Sequence, residues 1–296
     1  MKKNCLKILT VLSAALLLLC GCFEPSLGNP PFVESDSLPL IGEVTVPPYH
    51  ESETYDYHTQ VDESLLATDH SREYLMLFNK LHSLDADYVP STLVRLGADI
   101  VISWQEDLGG LYLESRTAQA LIEMIEEMKA DGIDDIWVTS AYRDYAYQTK
   151  TFNGYIAREA STISEDAYEF LGYDYIYSNY LSKDLHRLSV EDARRVVLSY
   201  SAAPGTSEHQ SGLCLDFTTE VMQGALNANF EDEKAFEWLS KNAYKFGFIM
   251  RYSKDKESIT GYTYEPWHYR FVGREAATDI YFSGVCLEEY LVALQS

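Results

Sequence analysis

The chain has 296 residues, 46% hydrophobic and 23% charged, which allows one sizeable domain with appendages or two small domains. This composition excludes wholesale disorder, a collagen-like fibre and a multispanning membrane protein. Lys and Arg number 23 against 46 Asp and Glu, a formal net charge of −23. A surface this acidic repels phosphates, so we expect no nucleic acid among its partners. Three of the five cysteines lie in the first 22 residues, leaving too few for a disulfide framework.

The N-terminus has the features of an export signal. Lysines precede an apolar run over residues 8–19 that is too short for a comfortable membrane span. The next residues resemble a bacterial lipobox: the small Gly21 precedes Cys22, whereas a bulky leucine precedes Cys20. We therefore predict a lipoprotein signal peptide over residues 1–22, with Cys22 lipidated and the protein held outside the cytoplasm on the bacterial membrane surface. The alternative is a plain secretory signal in which neither cysteine is modified.

An acidic, proline-rich segment follows the signal. Residues 23–71 contain ten acidic residues, no Lys or Arg, and six of the nine prolines. Prolines disfavour helix and like charges extend a chain, so this composition predicts a tether. Domain-like patterning begins at Arg72, and we predict a catalytic domain over residues 72–296.

Helix and strand patterns alternate within that domain. Leu121, Met124, Ile125 and Met128 recur at helical spacing within residues 116–130, which predicts an amphipathic helix whose apolar stripe packs on a sheet. A short buried strand is predicted next, over residues 136–139. The later predicted elements are a helix capped by Ser189 and ending near 200, a strand over 213–217, a helix over 233–246, paired strands over 248–252 and 264–272, and helix over 274–291.

The order of these elements predicts an α+β fold with an antiparallel sheet flanked by helices. Residues 153–187 are rich in tyrosine and polar side chains, without clear periodicity. We interpret this stretch as an insertion or a lid.

Three short segments carry residues suited to metal catalysis. A catalytic zinc ion needs three protein ligands, an open position for water and a separate carboxylate that takes the proton of the water. His209, Asp216 and His268 can supply the ligands, and Glu265 can supply the base. Arg143, at the end of a predicted strand, can stabilise an oxyanion. Taken singly, each residue is as well explained by packing or by a surface salt bridge.

In combination, these segments resemble the VanY-type D-alanyl-D-alanine carboxypeptidases, zinc peptidases related to lysostaphin-like enzymes and to the hedgehog amino-terminal domain. The resemblance extends over about residues 75–291. The motifs that carry it are Ser140-Ala141-Tyr142-Arg143 with Gln148, Ser207-x-His209-x-x-Gly212-x-Cys214-x-Asp216, and Glu265-Pro266-Trp267-His268-Tyr269.

The resemblance implies a hedgehog/D-Ala-D-Ala peptidase-like fold and one Zn²⁺ per chain, held by His209, Asp216 and His268. It assigns Glu265 as the general base and Arg143 as the group that neutralises the oxyanion.

Further residues match positions near the substrate in this family. Ser207 and Gln148 are implied as substrate-binding residues, and Trp267 as a wall of the pocket. Two positions depart from the family pattern, because Ala141 replaces a common glycine and Cys214 replaces a small alanine. Residues i and i+2 of a strand share a face, so the thiol of Cys214 can lie near the metal and compete as a ligand, although a small buried apolar residue is its ordinary role.

Family and location together predict that the substrate is the peptidoglycan stem peptide, cleaved at its terminal D-Ala-D-Ala bond. An L,D-carboxypeptidase and a peptidoglycan endopeptidase remain alternatives, because the motifs do not separate them. A non-catalytic protein that binds cell-wall peptides would be expected to lack the base.

Overall fold

Strands and helices alternate in the computed structural model, which describes residues 55–69, 71–102, 105 and 109–295. All of these belong to one unit, Pro39–Ser296. The predicted signal peptide, Cys22 and most of the predicted tether lie outside the described residues. No helix in the described ranges combines the length and apolar character needed to span a bilayer.

A four-stranded antiparallel sheet and a two-stranded hairpin organise this unit, which confirms the predicted α+β class. The strands are β1 (Leu93–Arg95), β2 (Tyr112–Glu114), β3 (Ile136–Ser140), β4 (Cys214–Thr219), β5 (Phe248–Tyr252) and β6 (Glu265–Phe271). Strands β1 and β2 pair with each other, and the larger sheet has the order β3-β4-β6-β5. Strands β4 and β6 are therefore its central pair.

Helices surround the larger sheet. They are α1 (Glu63–Leu66), α2 (Ser115–Ala130), α3 (Tyr145–Glu159), α4 (Glu165–Leu171), α5 (Tyr173–Asn179), α6 (Val190–Tyr200), α7 (Lys234–Asn242), α8 (Glu257–Thr260), α9 (Arg274–Ser283) and α10 (Leu287–Ala293). The predicted helix over residues 233–246 continues beyond α7 as a 3₁₀ turn, Ala243–Phe246. The predicted helix over residues 274–291 is divided in two, because Gly284 ends α9 in a left-handed conformation.

The main core lies between the sheet and α2. The predicted apolar stripe of α2 is buried there, including Met124 and Met128 with Phe217 of β4. Glu114 caps this helix, since its carboxylate accepts hydrogen bonds from the first backbone N–H groups. A capped helix with a fully buried face gives the central strands a fixed support.

Residues 145–200 form a separate helical layer. Helices α3 to α6 enclose their own small core, which includes Phe152, Ile176 and Val196. Ser189 caps α6 as predicted, accepting a hydrogen bond from the N–H of Asp192. The stretch interpreted as an insertion is therefore mostly helix, and it forms a wall beside the sheet.

The N-terminal boundary of the domain differs from the prediction. Residues 55–69, assigned to the tether, pack on the domain: Leu66 is fully buried and Tyr57 contacts Phe246. The buried Glu127 accepts hydrogen bonds from the backbone of His58 and Thr59. The acidic composition of residues 23–71 predicted a tether, but a few apolar side chains near its end pack on the domain. The domain therefore begins before Arg72.

Candidate metal centre

Strand register brings two of the predicted ligands together. In the β4–β6 pair Asp216 lies opposite His268, and in the β3–β4 pair Ser140 lies opposite Asp216. His209 lies on the single 3₁₀ turn Glu208–Ser211, just before β4. A turn that leads directly into the central strand thus places the third ligand beside the other two.

Both histidines contact the carboxylate of Asp216, one at each oxygen. His209 Nε2 lies 3.2 Å from Asp216 Oδ2, and His268 Nδ1 lies 2.9 Å from Asp216 Oδ1. Ligands at zinc–nitrogen and zinc–oxygen distances in a tetrahedron are about 3.3 Å apart. Both contact distances are therefore compatible with donors that share a zinc ion.

Hydrogen bonds fix which nitrogen of each imidazole faces Asp216. His209 Nδ1 lies 2.6 Å from the carbonyl oxygen of Ala141, an acceptor, so Nδ1 carries the proton and Nε2 is left for a metal. His268 Nε2 lies 3.4 Å from Glu208 Oε2, which leaves Nδ1 for a metal in the same way. Such partners orient metal ligands and raise their basicity.

Glu208 is a functional residue that the sequence analysis missed. Its Oε1 accepts hydrogen bonds of 2.9 Å from both Arg251 Nε and Arg270 Nη1. Arg251 also forms a two-pronged ion pair with Glu288 on α10, at 2.7 and 2.8 Å. All four side chains are buried. The sequence offered one indication of this network. Arg270 follows His268 by two residues on β6, so its side chain lies on the same face of the sheet and needs a nearby carboxylate.

The charges of this network act on Glu208. Burial alone would raise the pKa of its carboxyl, but the guanidinium groups of Arg251 and Arg270 outweigh burial and hold the pKa well below its usual range. Glu208 is therefore ionised and suited to accept a hydrogen bond from the protonated Nε2 of His268. For Asp216, burial is likewise outweighed by the imidazoles, chiefly that of His209, so its pKa lies well below the ordinary value.

Glu265, the predicted base, occupies a different environment. It begins β6, and its Oε2 lies 3.7 Å from His268 Nδ1, farther away than the carboxylate of Asp216. Burial raises the pKa of Glu265 to about 7, although the neighbouring His268 opposes that shift. A carboxylate beside the ligands with a pKa near neutrality has the properties required of a general base.

A cavity of about 730 Å³ opens onto these residues. Its lining includes all three predicted ligands and Glu265, together with Arg143, Ser207 and Trp267. The lining also includes residues of the helical layer, among them Tyr155, Arg158 and Phe170. The cavity therefore lies between the sheet and the helices.

The other predicted site residues differ in how they reach this cavity. Arg143 Nη1 donates to Ser140 Oγ at 3.3 Å, and its backbone N–H donates to the carbonyl of His209. Its Nε has no hydrogen-bond partner within the described ranges. Gln148 is buried and donates to the carbonyl of Ala202, a lining residue, at 2.7 Å. Gln148 thus supports the wall, and its direct contact with substrate stays a prediction.

Cys214 lies among the metal donors. It is fully buried, and its Sγ and one nitrogen each of His209 and His268 all lie within 4.8 Å of one another. Burial alone would raise the pKa of this thiol, but the two imidazoles lower it to about 7. The sequence analysis predicted this location, because residues 214 and 216 of one strand share a face of the sheet.

Comparison with known proteins points to one family. A family model described as D-alanyl-D-alanine carboxypeptidase (VanY) matches residues 110–274. The D-alanyl-D-alanine carboxypeptidase of Enterococcus faecalis is 32% identical over 235 residues, covering 78% of this chain and 72% of that protein.

Two solved structures at 32% identity share the fold. The LdcB LD-carboxypeptidase aligns with a TM-score of 0.59 over 75% of this chain and 87% of its own. A mutant of the vancomycin resistance D,D-pentapeptidase VanY, in complex with Zn(II), aligns with a TM-score of 0.54 over 74% of this chain and 99% of its own.

Fold, site and comparisons agree on one class of protein, the metallo-carboxypeptidases. Within that class, the chain belongs to the VanY family of D-alanyl-D-alanine carboxypeptidases, whose model spans more than half of its length. The predicted resemblance and the predicted fold are thereby confirmed.

Proposed function

We propose that this protein is a zinc-dependent D,D-carboxypeptidase that removes the terminal D-Ala from peptidoglycan stem peptides. The observation that carries this proposal is the contact of both His209 and His268 with Asp216, in the lining of a cavity that also contains a separate, half-buried Glu265. Membership of the VanY family supports the substrate class.

Bound zinc would supply a Lewis acid and lower the pKa of a water molecule towards 7. His209 and His268 would hold the ion through Nε2 and Nδ1, and Asp216 through its carboxylate. One negative ligand among three leaves a net charge of +1 at the site. That charge favours the developing anion of a carbonyl addition.

The remaining steps belong to the side chains of this chain. Glu265 accepts the proton of the attacking water and returns it to the leaving amine of D-Ala. Arg143, tied through its backbone to His209, directs its guanidinium towards the carbonyl oxygen and neutralises the oxyanion. Ser207 and Trp267 line the cavity where the peptide end would bind.

An L,D-carboxypeptidase is the second candidate. Its support is the likeness to the LdcB LD-carboxypeptidase, which has the same identity to this chain as the VanY structure. The catalytic residues proposed here serve either reaction. Selectivity would therefore reside in the helical wall of the cavity, which includes Tyr155, Arg158 and Phe170.

Product analysis separates these candidates. The purified protein, with and without zinc, is incubated with pentapeptide and tetrapeptide stems, and the products are weighed by mass spectrometry beside a Glu265→Gln control. Loss of one D-Ala from the pentapeptide alone supports the proposal. Trimming of the tetrapeptide instead supports the L,D-carboxypeptidase. Failure of the zinc-loaded protein to cleave either peptide contradicts both and favours an endopeptidase or a binding protein.

We further propose that Cys22 carries a lipid anchor and that the enzyme acts on the outer face of a bacterial membrane. The basic start, the short apolar run and Gly21 before Cys22 support this location. Cells that express the Cys22→Ala or the Cys20→Ala variant are separated into membrane and soluble fractions. We expect the Cys22→Ala protein in the soluble fraction and the Cys20→Ala protein in the membrane fraction. Retention of both variants in the membrane would contradict the assignment of Cys22.

A further inference from the structure

Cys214 occupies a position with unusual surroundings for a buried cysteine. It begins β4, and its side chain shares a face with that of Asp216, two residues along the strand. Its thiol is fully buried beside two imidazoles rather than within a purely apolar cluster. Cys286, the other free cysteine in the described ranges, belongs to no such group of donors.

The geometry is close to that of a fourth ligand. Sulfur and nitrogen donors on one tetrahedral zinc ion are about 3.6 Å apart, given ordinary zinc–sulfur and zinc–nitrogen bond lengths. The thiol and the two imidazole nitrogens lie within 4.8 Å of one another. The sulfur–nitrogen distances therefore exceed that value by at most about 1 Å, so the thiol lies beside any ion held by both imidazoles.

We propose that Cys214 is a fourth protein donor, which binds the metal as a thiolate when no substrate is present and competes there with the catalytic water. The proposal rests on the ligand set of the proposed function. On binding, the thiol gives its proton to solvent and the sulfur forms the new bond to the metal, displacing one water molecule.

Two consequences follow from a sulfur donor at this position. Four protein ligands complete a tetrahedral site, and such closed sites are typical of structural rather than catalytic zinc. Removing the thiol should therefore weaken metal binding while leaving more of the bound metal open to water. A thiolate also favours thiophilic divalent ions, such as cadmium, cobalt and zinc, over magnesium or manganese.

The test is optical and needs no turnover. The purified protein is loaded with Co²⁺, and its near-ultraviolet spectrum is recorded for the unmodified chain, Cys214→Ala and Cys286→Ser. Cobalt bonded to a thiolate gives an intense sulfur-to-metal charge-transfer band. We expect that band in the unmodified chain and in Cys286→Ser, and its loss in Cys214→Ala. Absence of the band from the unmodified chain would overturn the proposal, as would its persistence in Cys214→Ala.

Chelator competition gives a second readout on the same proteins. We expect Cys214→Ala to bind Zn²⁺ roughly tenfold more weakly or worse, because loss of even an outer partner of a metal ligand commonly costs that much. Equal zinc affinity in the two proteins would contradict a role for the thiol. Pentapeptide cleavage, measured separately, tests the proposed function: if cleavage occurs without the cobalt band, only the thiolate proposal fails.

Discussion

Two glutamates of the site, the buried Glu208 and the half-buried Glu265, have different charge environments. Glu208 contacts two guanidinium groups, and its pKa is lowered despite burial. Glu265 forms no ion pair with a guanidinium among the described residues, and burial raises its pKa to about 7 although His268 opposes that shift. A difference of this kind separates a residue that orients a ligand from one that exchanges protons.

The pH dependence of hydrolysis should reflect Glu265. A carboxyl with a raised pKa remains protonated to higher pH, and only the ionised form can accept a proton. We expect kcat/KM of the zinc-loaded enzyme to fall as the pH drops through a value at or below about 7, since zinc opposes the upward shift. A pH–rate profile measures this, with Glu265→Gln as a uniformly slow control. A rate that stays constant down to about pH 5, near the ordinary range of glutamate, would be inconsistent with this base.

Loss of the Glu208 carboxylate should weaken metal binding. Without that negative charge, the proton on His268 Nε2 is held less strongly, so Nδ1 is directed less firmly to the metal. We expect Glu208→Gln to lower zinc affinity by roughly 10–100-fold, measured by chelator competition. Glu288→Gln is the matched control, because it removes the same charge from the far side of Arg251. Equal zinc affinity of the two variants would refute a specific role for Glu208 in orienting the ligand.

Residue order in the motifs led to the predicted ligands, and nothing comparable marked Glu208. Between Ser207 and His209, a glutamate is indistinguishable from a solvated charge. Its partners Arg251 and Arg270 lie 43 and 62 residues farther along the chain. Only the pairing of β5 with β6 brings them together.

At the level of elements, glycines with positive φ connect the helices to the central sheet. Gly247 has φ +81° between the 3₁₀ turn and β5, and a Cβ there would lie 2.6 Å from the ring of Phe271. Gly132, just after α2, has φ +82° but nothing within 4 Å of a Cβ. The two positions share a backbone conformation and differ in the space available.

Alanine substitutions separate strain from crowding. We expect Gly132→Ala to lower the free energy of unfolding by about 1–2 kcal/mol, the cost of a left-handed alanine. Gly247→Ala should cost about 1–3 kcal/mol more, because the ring on β6 must also move. Urea denaturation measures both, and equal losses would show that the contact with Phe271 carries no penalty.

Long periodic elements were predictable, and short ones were not. The apolar spacing of α2 and the capping serine of α6 correctly located those helices. Helices α4 and α5 have seven residues each and meet at Gly172. Seven residues make barely two turns, too few to establish a period among many tyrosines.

On the scale of the whole molecule, residues 55–69 belong to the folded unit. They are attached by the burial of Leu66, by the ring of Tyr57 against Phe246, and by backbone hydrogen bonds to Glu127. The hydrogen bond from the N–H of Thr68 to Glu275 extends this attachment to α9. The predicted start of the domain at Arg72 would remove all of these contacts.

A truncation tests that boundary. We expect a chain beginning at Arg72 to have a free energy of unfolding at least about 2 kcal/mol below that of a chain beginning at Tyr55, since full burial of one leucine contributes about 1.5–3 kcal/mol. Denaturant titration of the two proteins gives the difference. Leu66→Ala in the longer chain is the control and should show part of the loss. Identical unfolding midpoints for the two lengths would return residues 55–71 to the tether.

The ion network around Glu208 is completed by a part of the chain that is synthesised late. A nascent chain emerges from its N-terminus, so His209, Asp216 and His268 are all synthesised before Glu288 of α10, which pairs with Arg251. Until that helix docks, the buried guanidinium lacks one of its two counter-charges, and Glu208 is less firmly held against His268. Full support of the predicted ligands therefore requires α10, and a chain in which this helix has not docked would carry them without it.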